Sequence, residues 1–217
     1  MKHLPLFFNL NGKRCLLVGG GRIGSRRAQT MMNAGAAIDL VAPHVDPALV
    51  DRVTASAGAV HQRPWDEGDI HQDYALVVAA TDDPQLNLRV AHRASALGLP
   101  VNVVTDASAS DFTFTGVVER HPFTIAISSG SASPLLARLL RERINALIPA
   151  GYGQLAELVG RYRHTVRQRF ASVEVRKHFW ERALTGNVAE QVFAGNIESA
   201  EALLKHDLEQ TRESDPR

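Results

Sequence analysis

Apolar residues recur with two different rhythms along the chain, and the change of rhythm divides it. In the first half, short apolar runs of strand length alternate with stretches of helical period. Residues 14–18 form a first strand and about 22–34 a first helix that closes at Gly35. Ala37–Ala42 is a second strand ended by Pro43, followed by a short helix from Pro47 to about Ala57 and a third strand near Ala59–Gln62. Tyr74–Ala80 is a continuous apolar run, the pattern of a strand buried on both faces of a parallel sheet. Thr81-Asp82-Asp83-Pro84 ends it and caps a helix to Leu97, and Pro100–Val104 is the next strand. Strands alternating with helices at this spacing predict right-handed βαβ units and a parallel, doubly wound sheet.

After residue 112 the rhythm changes. Phe112–Val118 and Phe123–Ile127 read as two antiparallel strands around a turn at Glu119–Pro122. From Ser133-Pro134 onward the pattern is helical: about 134–147, then about 154–173, then shorter helices toward Asp207, with a tail at 213–217 expected to fray. The fold class is therefore α/β: a Rossmann-type domain over 1–112, a hairpin-plus-helix segment over 113–147, and a small helical domain over 148–217.

Composition narrows the class. The chain has 217 residues, 45% hydrophobic and 22% charged, with a net charge of +1, as in a soluble globular protein with no global pull toward nucleic acid or membrane. No apolar run approaches the ~20 residues that span a bilayer. The N-terminus lacks the length and cleavage site of a signal peptide, so the expected location is the cytoplasm. The single cysteine, Cys15, rules out an internal disulfide framework and any cysteine-based zinc cluster, and its place in the first strand makes it a core residue. The nine histidines are scattered without metal-ligand spacing, so no stable metal site is expected.

The most informative chemistry lies between the first strand and first helix. Gly19, Gly21 and Gly24 form a G-x-G-x-x-G set. Its glycines permit, in turn, the tight turn, the close approach of backbone to a pyrophosphate, and the packing of helix on sheet. The helix starting near Arg22 points its free N–H groups and positive dipole end at that phosphate. Gly19, Gly21, Arg22, Ile23 and Gly24 should line the cofactor turn. Thr81 ends a core strand at the edge where α/β sheets place ligands, although Thr or Asp before Pro84 is equally an ordinary helix cap. A standard NAD site carries an acid at the end of the second strand; here Asp39 lies inside that strand and Asp46 beyond the loop. No arginine flanks the loop to hold a 2′-phosphate, so the residues alone leave NAD and NADP open.

Together with the glycine turn, several stretches make a more specific set: His3-Leu-Pro-Leu-Phe7, Ala79-Ala-Thr-Asp-Asp83, Asn102-Val-Val104, Ser128-Ser-Gly130, Ser133–Glu142 and Phe179-Trp180. In this combination the chain resembles precorrin-2 dehydrogenase and the N-terminal half of sirohaem synthases. The resemblance implies a homodimer with an intertwined central segment, which makes 113–147 the dimerisation segment. It also implies NAD as cofactor and oxidation of precorrin-2 to sirohydrochlorin, followed in some members by insertion of ferrous iron to give sirohaem. It brings Pro43 and His44 near the adenosine ribose and gives Ser129 a place in the active-site region. In the family an aspartate follows the Asn-Val-Val run directly; here Thr105 stands there and Asp106 comes next. A carboxylate that takes a proton from the macrocycle is chemically reasonable, which makes Asp106 the candidate acid/base; the alternatives are solvent as base, or a copy impaired at this step.

Ser128, Ser129, Ser131 and Ser133 form a polar turn whose hydroxyls and N–H groups suit substrate carboxylates, with Ser133 also the natural N-cap before Pro134. Nine arginines and Lys177 between Arg138 and Arg182 face four glutamates. That excess suits a macrocycle bearing eight carboxylates, with Arg138 and Arg141 the candidates for contact, while most of the others belong to solvated helix faces. A nucleotide-sensing module without catalysis, or a dehydrogenase without chelatase activity, are the rival readings.

Overall fold

The structure is a computed structural model and describes residues 4–130 and 132–212. His3, Ser131 and the tail 213–217 lie outside the described residues. Two compact units make up the chain, Met1–Phe114 and Thr115–Arg217. The hairpin and the helical part, expected as separate segments, pack as one unit.

In the first unit, β1 (Arg14–Val18), β2 (Ala37–Val41), β3 (Ala59–His61), β4 (Leu76–Ala79) and β5 (Val101–Val103) form one parallel sheet in the order β3-β2-β1-β4-β5. The crossovers are α1 (Arg22–Asn33), α2 (Pro47–Ala55) and α3 (Pro84–Ala96). Alternate residues of each strand face opposite sides of the sheet. Cys15, Leu17, Ile38 and Leu40 pack with Ala28 and Met31 of α1 and Leu49 and Val53 of α2. Leu16, Val18, Val77 and Val101 pack with Val90, Ala91 and Ala94 of α3. Both faces are covered, which is why these strands read as unbroken apolar runs.

Asp39, on β2, accepts hydrogen bonds from the Arg14 guanidinium and, at 2.8 Å, from the Tyr74 hydroxyl. Burial and the neighbouring carboxylate push the Tyr74 phenol well above its ordinary range. Asp39 is thereby occupied inside the sheet. The free side of β5 is closed by loop side chains: Ser110 Oγ accepts from the Val103 N–H and Asp111 Oδ2 from the Val101 N–H, so this edge offers fewer open groups to another strand.

Cys15 is fully buried, and burial pushes its thiol up to about 11. Its modification by a thiol reagent at pH 8 is expected only through unfolding, because reaction requires an accessible thiolate. A labelling time course with and without urea checks this; rapid labelling of the folded protein would contradict it.

In the second unit, β6 (Gly116–Arg120) and β7 (Phe123–Ile127) form a separate antiparallel sheet. The first of these strands was expected from 112. It starts later because Phe112 and Phe114 pack against the core beneath α1 and α2 instead. α4 (Pro134–Leu147) follows, then α5 (Gly151–Arg169), α6 (Val173–Thr185), α7 (Asn187–Phe193) and α8 (Ile197–Gln210). The single helix expected over 154–173 begins earlier and breaks at Phe170. That residue leaves helical geometry to bury its ring completely among Val166, Val175 and Phe179, while Ser172 caps α6 by accepting from the Val175 N–H.

Candidate functional site

The candidate site lies where β1 and β4 meet. Here the chain runs outward to β2 and β3 on one side and to β5 on the other, the switch point at which open α/β sheets bind ligands. Each glycine of the turn has a distinct local reason. Gly19 has φ +112°, and a Cβ there would overlap the Ala80 carbonyl of the neighbouring strand end. A Cβ on Gly24 would overlap the Gly19 carbonyl, so α1 packs this close to its strand only with glycine. Gly21 differs: a Cβ there would meet nothing within 4 Å. The space over Gly21 is open, as the approach of a ligand requires. A neighbour that the motif reading missed is Gly20, whose Cβ would lie 2.6 Å from the His44 carbonyl oxygen. It lets the loop after β2 close against the glycine turn.

Gly21 is the N-cap of α1 and provides no side-chain cap. The first N–H groups of the helix, including those of Arg22 and Ile23, have no intrahelical acceptor. The side chains of Arg22 and Ile23 are exposed beside them. A twelve-residue helix with an uncapped N-terminus facing open space supplies N–H donors and a positive dipole end for phosphate oxygens.

Thr81 and Pro43 line a cavity of about 280 Å³ at this edge together with Gly19, and His44 follows on the exposed loop. The Thr81 side chain is already occupied. Its Oγ1 lies 2.7 Å from Asn87 Oδ1, and that same Oδ1 accepts from the Thr81 N–H. Asn87, fully buried on α3, also donates to the Thr81 carbonyl and, at 3.4 Å, to Thr105 Oγ1. It therefore links the loop after β4 to the loop after β5. Asn87 was not singled out from sequence; an asparagine on the apolar face of an amphipathic helix was the available signal. Asp83 is the N-cap of α3 and accepts from the Gln85 N–H.

Asp106 follows β5 on the same edge. Its Oδ1 accepts from the Ser108 N–H at 2.8 Å, the Ser108 hydroxyl at 2.6 Å and the Ala109 N–H at 3.3 Å. The hydroxyl and then the N–H of Ser108 hold its carboxyl below the usual carboxylate range. Thr105, in the position expected to hold an aspartate, is exposed, and its hydroxyl accepts from Asn87 Nδ2.

Ser129 belongs to the second unit. Its Oγ accepts from the Ser133 N–H at 3.1 Å, and Ser133 in turn caps α4 by accepting from the Leu136 N–H. Ser128 accepts from the Gly130 N–H. These hydroxyls shape the turn into α4. Arg138 pairs with Glu142 at 3.4 Å, and the aliphatic stem of Arg141 lies against Gly116. Among the described residues no group of three or more His, Cys, Asp or Glu is gathered to hold a metal, and no helix is long and apolar enough to cross a membrane.

A parallel sheet with this strand order, and a glycine turn opening onto an uncapped helix at its switch point, define a dinucleotide-binding protein of the Rossmann class. Residues 6–116 match the family described as "Putative NAD(P)-binding", and residues 151–208 match the sirohaem synthase dimerisation region. The chain belongs to this NAD(P)-binding family, here joined to the sirohaem synthase dimerisation region. Among curated proteins it is 46% identical over 208 residues to the sirohaem synthase of Stutzerimonas stutzeri, covering 96% of this chain and 44% of that protein. It is 42% identical to the sirohaem synthase of Nitrosomonas europaea, covering 100% of this chain and 46% of that protein. The chain thus spans less than half the length of these relatives. Among solved structures, SirC, a precorrin-2 dehydrogenase, shares the fold with a TM-score of 0.73 at 21% identity, covering 94% of this chain and all of that one.

Proposed function

We propose that this chain is an NAD-dependent precorrin-2 dehydrogenase that forms sirohydrochlorin in sirohaem biosynthesis, acting as a cytoplasmic homodimer. The observation that carries the reading is the open space over Gly21 in front of the uncapped α1, in a chain that matches sirohaem synthases across nearly its whole length. The residues present fit a dinucleotide: Gly19 and Gly24 set the turn, and the N–H groups at Arg22 and Ile23 would hold the pyrophosphate. Pro43, on the cavity wall, and His44 beside it would border the ribose, and Thr81 holds that wall through Asn87. When bound, the nicotinamide supplies a hydride acceptor. Asp106 takes the proton that the macrocycle loses, with the oxygen not engaged by Ser108 and Ala109. Ser129 and the start of α4 offer hydroxyl and N–H donors to substrate carboxylates, and Arg138 and Arg141 add positive charge. Insertion of ferrous iron, as substrate, into sirohydrochlorin is a second activity of the chain. It needs only transient metal contact and so no resident metal cluster. Neither nucleic acid nor membrane enters this reading.

A further support for the dimer is α4. None of its residues is buried, and Leu135, Leu136, Leu139, Leu140 and Leu147 are all exposed at helical spacing. Such a stripe marks an association surface. The charged substitutions Leu136→Glu and Leu140→Glu together are expected to convert a dimer to monomer by sedimentation without loss of helical content. A variant that remains dimeric would remove α4 from the interface.

The function is tested by adding precorrin-2 anaerobically to protein and NAD⁺ and following NADH at its absorbance band. One NADH per sirohydrochlorin is expected, and none would refute the dehydrogenase. Ferrous iron added to the product then reads chelation, and replacing NAD⁺ by NADP⁺ reads cofactor choice.

A further inference from the structure

The cavity extends beyond the glycine turn to residues that no dinucleotide fingerprint describes. Its far side is built by Trp65, in the loop after β3, and by Leu86 and Arg89 on α3, opposite Pro43 at the end of β2. In doubly wound sheets the end of the second strand meets the ribose of the adenosine half, so this region serves that half. Its volume of about 280 Å³ falls just below the ~300–1,000 Å³ of sites that enclose a whole drug-sized ligand. It suits one nucleoside better than a dinucleotide.

Two features of this wall lack an account from folding alone. Trp65 is only 8% exposed and packed into the core beneath α3, yet its Nε1 is buried with no hydrogen-bond partner among the described residues. A buried donor left unpaired costs about 1–3 kcal/mol, which Phe at this position would avoid. Arg89 is exposed, sits over the Trp65 ring at 5.4 Å, and has no carboxylate partner among the described residues. The wall thus offers a fixed flat ring and an uncommitted cation, while β2 ends without the usual acid.

We propose that Trp65 and Arg89 recognise the adenosine monophosphate half of the cofactor, Trp65 as the apolar wall for the adenine ring and Arg89 as the cation for its phosphate. This rests on the dinucleotide reading of the site. Trp65 and Trp180 are the two tryptophans of the chain, and Trp180 packs, half-buried, against the helical core of the second unit. Trp180→Phe therefore leaves Trp65 as the sole indole reporter. In that background, NAD⁺ and AMP are each expected to change Trp65 emission saturably, whereas nicotinamide mononucleotide leaves it unchanged. Arg89→Gln is expected to weaken AMP about tenfold with unchanged thermal unfolding, and Arg89→Lys to restore most of the affinity by keeping the charge. Calorimetry run in parallel separates the failures. Heat of NAD⁺ binding with silent Trp65 emission, or full AMP affinity in Arg89→Gln, overturns this assignment alone. No heat with NAD⁺ overturns the dinucleotide reading and this assignment with it.

Discussion

Gly21→Val is expected to abolish turnover while leaving the protein folded. Gly21 has φ −74° and ψ −176°, backbone that any residue adopts, and a Cβ there meets nothing within 4 Å. The folding cost is then about 1 kcal/mol, that of a β-branched residue in place of glycine at the N-cap of α1, too little to unfold the domain. The added side chain instead fills the space that a pyrophosphate needs in front of α1. NAD⁺ affinity should fall by roughly a hundredfold or more, about what loss of several charge-assisted hydrogen bonds entails. Gly19→Ala and Gly24→Ala provide the contrast, since their Cβ atoms overlap the Ala80 and Gly19 carbonyls. Those variants are expected to lose thermal stability first. Calorimetry with NAD⁺ and a melting curve for each of the three separate the roles. Normal NAD⁺ binding by Gly21→Val would mean that phosphate does not approach there.

Asp106→Asn carries the second large expectation. If Asp106 takes the macrocycle proton, the rate falls about a hundredfold. Substrate affinity should change little. The fold should persist, because an amide oxygen still accepts from the N–H groups of Ser108 and Ala109. The pH dependence follows from the direction of its shift. Hydrogen bonds from Ser108 hold the carboxyl below the usual range, so the base form is retained as pH falls through ~4, the ordinary carboxylate value. The rate should show no acid limb from this group between pH 5 and 8. A limb near neutrality that vanishes in Asp106→Asn would contradict that electrostatic picture. An unchanged rate would assign the proton to solvent.

Much of the first unit was legible in sequence because local signals and burial agree there. The apolar runs of β1, β2 and β4 are strands covered on both faces, and Pro47, Pro84 and Pro134 open helices at the positions expected of proline. The discrepancies share a cause, which is packing between residues distant in sequence. Phe112 and Phe114 have strand propensity but find better burial on the sheet core, so β6 begins at Gly116. Phe170 sits in a run of good helix formers, yet the helix stops so that its ring is enclosed. In the site, the glycine spacing was readable because its steric demands are local. Asn87 and Trp65 were not, since their significance depends on which loops α3 brings beside them. The position of Thr105 stood out only against a family pattern, and in the structure it is a partner of Asn87.

The central claim joins the glycine turn to one oxidation. Its most direct measurement is the visible spectrum of precorrin-2 under argon with the protein, recorded with NAD⁺, without NAD⁺, and with Gly21→Val. Conversion to the sirohydrochlorin spectrum is expected only for the unaltered protein with NAD⁺. A precorrin-2 spectrum that persists in all three, from protein that binds NAD⁺ by calorimetry, would contradict the assignment and leave a dinucleotide-binding module without this chemistry.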